Sequence, residues 1–108
     1  MAFLRFTGFQ REFLEEQSEL FAEEFSRVAH LPRERVSVEL LGLKPITDTP
    51  RSLEILMFPR EKKVYDEIAE MLNALLCHFG FPDVHLFFVL LQPSLYYQEG
   101  RPFAAAEA

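Results

Sequence analysis

Four ionisable or polar side chains stand inside otherwise apolar stretches: Arg5 in Ala2 to Thr7, Glu39 in Arg35 to Leu41, Glu54 in Leu53 to Phe58, and His85 at the head of His85 to Leu91. A carboxylate or imidazole beside a ligand cavity, its pKa shifted by its surroundings, can serve as a general acid or base. The same residue types also make structural ion pairs, because a charge taken out of water needs a partner. Arg5 paired with Glu39 or Glu54, within one subunit or across two, meets that need, and Glu54 faces either a cavity or Arg5. Arg60 is a different kind of candidate. It follows Pro59 where a helical pattern begins, and free N–H groups and the helix dipole favour anions there. With His85 and Tyr97 it would receive a carboxylate-bearing ligand; the plain alternative is an exposed arginine beside Glu61, Lys62 and Lys63.

Other chemistries find no residues to carry them. His30, His78 and His85 lack metal-ligand spacing, and Cys77 is the only cysteine, so neither a metal nor a cofactor is expected. Cys77 itself, beside Leu75 and Leu76, reads as a buried thiol. The glycines at 8, 42, 80 and 100 are dispersed at turns, which leaves no phosphate-binding loop and no nucleophile elbow.

The elements that must position these residues form one pattern written twice. Ala2 to Thr7 reads as a strand. Gln10 to Ala29 follows with helical spacing, Leu14, Phe21, Phe25 and Val28 on one stripe and Glu12, Glu15, Glu16, Glu19, Glu23 and Glu24 around the rest. That acidic face reads as a solvated surface. His30-Leu31-Pro32 ends the helix, because proline disfavours helical geometry in the residue before it. Val36, Val38 and Leu40 then alternate with polar neighbours as a strand over Arg35 to Leu41.

After Gly42 to Arg51 the pattern restarts. Leu53 to Phe58 is a strand, and Pro59 sits at or just before the first turn of a helix over Glu61 to Phe79, with Val64, Ile68, Leu72, Leu75, Leu76 and Phe79 on its stripe and Gly80 as a left-handed cap. His85 to Leu91 is so apolar that burial on both faces is expected. Pro32 and Pro82 mark the repeat offset of about fifty residues. Two β-α-β units, about 2–41 and 52–91, predict an α+β two-layer sandwich: a four-stranded mixed sheet, both helices on one face, and a short additional C-terminal strand within Gln92 to Phe103. The single domain spans 1–103, and 104–108 is expected to fray.

Composition narrows the partners. With 108 residues the chain buries one core, and no apolar run approaches the roughly 18 residues of a membrane span. A formal charge of −6 repels phosphate backbones, so neither nucleic acid nor a membrane is an expected partner. Met1 to Phe6 lacks the apolar stretch and cleavage site of a secretory signal, and with a lone thiol this points to the cytoplasm. One sheet face has no helix to cover it, while 12 phenylalanines exceed what a two-layer monomer needs, so a homo-oligomer is expected.

Phe3-Leu4-Arg5-Phe6, Leu53 to Arg60 and the ending Tyr96-Tyr97-Gln98-Glu99-Gly100-Arg101-Pro102-Phe103 within this doubled pattern resemble a small bacterial family of unknown function in the tautomerase and macrophage migration inhibitory factor superfamily. The resemblance runs from Ala2 to Phe103. It implies a homotrimer with pockets at subunit boundaries, and a terminal segment carrying Tyr96 and Tyr97 that reaches the neighbouring sheet. In catalytic members of that superfamily, removal of the initiator Met exposes an N-terminal proline that acts as base or nucleophile. Ala2 holds that position here. A lysine of the cytokine-like enzymes falls on Leu31, and a tyrosine and an asparagine fall on His85 and Phe87.

These replacements argue against proline-based keto-enol chemistry. The favoured expectation is a tautomerase-like trimer binding a small anionic metabolite at an interface pocket lined by Arg60, His85, Tyr97 and Leu31, with Phe58 and Phe87 lining or filling it. One alternative is an isomerase working through the Ala2 amine or His85. Another is a ferredoxin-like regulatory module that binds a ligand and pairs into dimers.

Overall fold

The computed structural model describes residues 1–103, and the expected fraying of 104–108 lies outside the described residues. The chain runs β1 (Ala2–Thr7), α1 (Arg11–Ala29), β2 (Val36–Leu41), β3 (Ser52–Met57), α2 (Lys62–His78), β4 (His85–Leu90), then β5 (Tyr97–Gln98) and β6 (Arg101–Pro102). The strands of the main sheet lie in the order β2-β1-β3-β4. β1 pairs in parallel with β2, β3 with β4, and β1 and β3 meet antiparallel at the centre. Each parallel pair is joined through its helix, which is why the two repeats build one mixed sheet. The tail forms a two-stranded hairpin rather than a single extra strand.

Alternation along β1 sorts the two faces. Ala2, Leu4 and Phe6 are fully buried under the helices, while Phe3, Arg5 and Thr7 look out from the open face. The helices supply Phe21, Phe25, Ile68, Leu72 and Leu76 to the core. Six phenylalanines, Phe6, Phe9, Phe13, Phe21, Phe79 and Phe81, form a connected ring cluster at the end of β1. A second cluster joins Phe58 to Tyr96 and Phe103, tying the tail to the opposite end of β3.

Several expectations change in detail. Cys77 is exposed, because the buried stripe of α2 runs through Ile68, Leu72 and Leu76 and the next residue turns about 100° away from it. β4 is an edge strand whose Phe87 and Val89 are exposed in the single subunit, so only one of its faces is covered. Both helices end in a left-handed residue: Gly80 (φ 89) as expected, and His30 (φ 55) in the matching role after α1. The N–H groups of Leu31 and Phe81 donate back to the Ser26 and Leu76 carbonyls, closing both ends alike.

Candidate functional site

Strand register decides which candidates meet. Ala2 lies between Val36 of β2 and Met57 of β3. Met1, Arg35 and Phe58 adjoin these three paired positions in the chain, and Arg60 follows just beyond the end of β3. Burial first, and then the charges of Arg35 and Arg60, hold the Met1 amino group below its ordinary value near 8.0. An α-amine so placed carries more of its free base near neutrality, and the two guanidinium groups beside it attract anions.

The scaffold around this end is fixed on both sides. Arg33 spans the α1–β2 connection, donating to the Glu19 carboxylate through Nη2 at 2.7 Å and Nε at 3.2 Å, and to the Val36 carbonyl through Nη1 at 2.8 Å. This fork holds the Glu19 carboxyl below its usual range and secures the turn that carries Arg35. On the other side Phe58, only 3% exposed, is packed between Tyr96 and Phe103. Arg60 is half-buried and makes no ion pair among the described residues. Its backbone N–H donates to the Tyr65 hydroxyl at 2.6 Å.

The expected pocket set divides. Ala2 is fully buried and peptide-bonded within β1, and Leu31 and Phe58 are core residues; with Arg60 they belong to this end of the sheet. Tyr97 lies exposed in the β5–β6 hairpin that follows β4. His85 pairs with Ser52, five residue steps or about 17 Å along the strand from the Met57 level. A site joining His85 to Arg60 and Tyr97 therefore does not form inside one subunit. Phe87 stands mid-sheet beside Glu54 on the open face. Arg60 also lies before the first helical residue, Lys62, so it is not part of the first turn of α2.

The strand charges resolve toward structure. Arg5 donates through Nε to Glu39 at 3.0 Å, both partly exposed, while Glu54 stands opposite Arg5 on the other side and makes no ion pair among the described residues. Four surface grooves of about 290 to 610 Å³ lie elsewhere, and none of the four is lined by Met1, Arg60 or Tyr97. Among the described residues no group of three His, Cys, Asp or Glu side chains is arranged to hold a metal, and no helix is long and apolar enough to cross a membrane.

The residue types did not single out Met1, Arg35 or Tyr65. The one signal available was Arg35 directly preceding a strand whose partner begins at Ala2, which matters only once the register is known.

A family model described as a domain of unknown function (DUF1904) matches residues 1–102. The chain belongs to this family. A solved DUF1904 domain from Sebaldella termitidis is similar to it over 95% of this chain and 100% of its own, with a TM-score of 0.85 and 22% identity. Beyond the DUF1904 family, malonate semialdehyde decarboxylase shares the fold at a TM-score of 0.70, 15% identical over 93% of each chain. A macrophage migration inhibitory factor-like protein from Entamoeba histolytica does so at 0.68, 13% identical over 94% of this chain and 96% of its own. The DUF1904 chain thus has the tautomerase-like fold that its doubled pattern indicates. No curated protein matches it in sequence.

Proposed function

We propose that this DUF1904 protein is a cytoplasmic homotrimer that binds a small carboxylate at the end of each sheet, without the proline-based tautomerase reaction. The convergence of the Met1 amine, Arg35 and Arg60 carries this reading. Arg60, which makes no ion pair among the described residues, offers its guanidinium to a carboxylate, and charge-assisted hydrogen bonds of this kind are the strong ones. A structural neighbour named for acting on malonate semialdehyde, itself a carboxylate, supports the ligand class. Assembly is supported by the bare sheet face, where Phe3, Phe87 and Val89 surround the Arg5 row. In a trimer of the kind the resemblance implies, the exposed His85 and Phe87 of one subunit would complete the neighbour's pocket.

The test is calorimetric titration of the protein with malonate and pyruvate, alongside an intact-mass measurement that shows whether the terminal amine belongs to Met1 or, after its removal, to Ala2. Saturable binding that weakens about tenfold or more in Arg60→Ala is expected. Equal affinity in that variant, or equal binding of the uncharged amide, overturns the carboxylate site. A second reading, an isomerase, is favoured by the lowered pKa of the same amine. We expect phenylpyruvate and 2-hydroxymuconate to tautomerise no faster than in buffer; turnover abolished by acylating the amine or by His85→Ala would establish the isomerase instead.

A further inference from the structure

No carboxylate among the described residues holds Arg60 where it is. Lys62 and Lys63, its neighbours in sequence, are each paired along α2, with Asp66 and Glu67 respectively, whereas Arg60 has no carboxylate partner among the described residues. It lies in a short connection from the end of β3 to Lys62, and the residue capping α2, Glu61, makes no side-chain capping bond. The connection is nevertheless anchored on the β3 side by the buried ring of Phe58 and by Pro59, whose φ is restricted. On the α2 side the anchor is Tyr65. Its ring lies 5.0 Å from that of Phe88 on β4, and its hydroxyl accepts the Arg60 N–H at 2.6 Å. The phenol is thus a neutral post braced on the sheet, able to hold the arginine's backbone without competing for its charge.

We infer that Tyr65 is a positioning residue of the candidate site, its hydroxyl fixing the Arg60 backbone so that the guanidinium stays beside the chain's terminal amine. The inference deepens the proposed carboxylate site and rests on that reading for its consequence in binding, but not for its geometry. An acidic residue in place of Tyr65 would accept the same N–H and also neutralise the guanidinium, whereas the phenol leaves the positive charge available.

Tyr65→Phe removes the acceptor and keeps the ring against Phe88. Three readouts on the full chain separate the possibilities: thermal midpoint, the pH midpoint of terminal-amine acylation followed by mass spectrometry, and malonate affinity. The expected result is a thermal midpoint within a few degrees of wild type, an amine midpoint moved upward part of the way to that of Arg60→Ala, and malonate affinity reduced three- to tenfold. In the Arg60→Ala background Tyr65→Phe should shift the amine no further. An amine midpoint unchanged by Tyr65→Phe while Arg60→Ala raises it overturns the inference, as does an equal shift with and without Arg60. Absence of malonate binding to the wild type, with the amine still responding to Tyr65→Phe only when Arg60 is present, supports the positioning role and overturns the carboxylate reading.

Discussion

At the scale of single residues, the decisive feature is an amine whose surroundings disfavour its proton. Burial and the charges of Arg35 and Arg60 lower the folded-state pKa of the Met1 amine relative to about 8.0 in the unfolded chain. Between the lowered value and 8.0 the unfolded state binds more protons than the folded one, so stability contributed by this group rises with pH across that window and is level above it. Glu19 acts in the acid range: its pKa is lowered by Arg33, so its contribution is present above about 4.5 and is lost as pH falls through the folded value. Removing the Arg60 charge should raise the amine's pKa and flatten the rise near neutrality. Urea denaturation of wild type and Arg60→Ala at several pH values between 6 and 8.5 measures it; parallel pH profiles would refute the placement of Arg60 beside the amine. The residues that define this end were hard to find in the sequence because their types are ordinary. Arg35 and Arg60 are 25 positions apart, and only the pairing of Ala2 with both Val36 and Met57 brings their segments to one place.

At the scale of elements, far more was legible. Leu14, Phe21 and Phe25 on α1, and Ile68, Leu72 and Leu76 on α2, are the buried residues that the 3.6-residue spacing picks out, since helix geometry alone decides which side chains share a face. The doubled pattern gave both crossovers, and with them the mixed sheet. Periodicity is silent on which strand lies at an edge, so the apolar run of β4 suggested cover on both faces where the single subunit supplies one. It is equally silent on the sheet's ends, so the separation of His85 from Arg60 within one subunit follows only from the strand register. The β1–α1 connection offers a test at this scale. Gly8 has φ +87, and a Cβ there would lie 3.1 Å from Cγ of Arg51, which itself stacks over Phe81 at 5.0 Å and donates through Nε to the Gly8 carbonyl at 3.1 Å. Gly8→Ala would impose left-handed strain and crowd that arginine together, at a cost of about 1–2 kcal/mol. Gly42→Ala, with open space around its Cβ and no positive φ, should be neutral or stabilising by up to ~1 kcal/mol. Equal denaturation midpoints for the two variants would show that Gly8 is not constrained as described.

At the scale of the whole molecule, the open sheet face poses the remaining problem, because apolar side chains lie exposed along it: Phe87 is 45% and Val89 38% exposed, in register with Glu54 and Leu56 of β3, with Phe3 and Arg5 of β1 beyond them. A charge at Phe87 separates the roles of fold and assembly. In a lone subunit, position 87 is so exposed that Phe87→Glu should change stability by no more than about 0.5 kcal/mol, apart from a small repulsion with Glu54 opposite it. In a trimer that covers this face, the same substitution would bury an unpaired carboxylate in every subunit, which association does not tolerate. Sedimentation equilibrium should therefore find three chains per wild-type particle and one per Phe87→Glu particle, with the helical circular dichroism of the variant retained. A trimer that survives the substitution would mean that assembly uses another surface, and a monomeric wild type would leave the face open for a different partner.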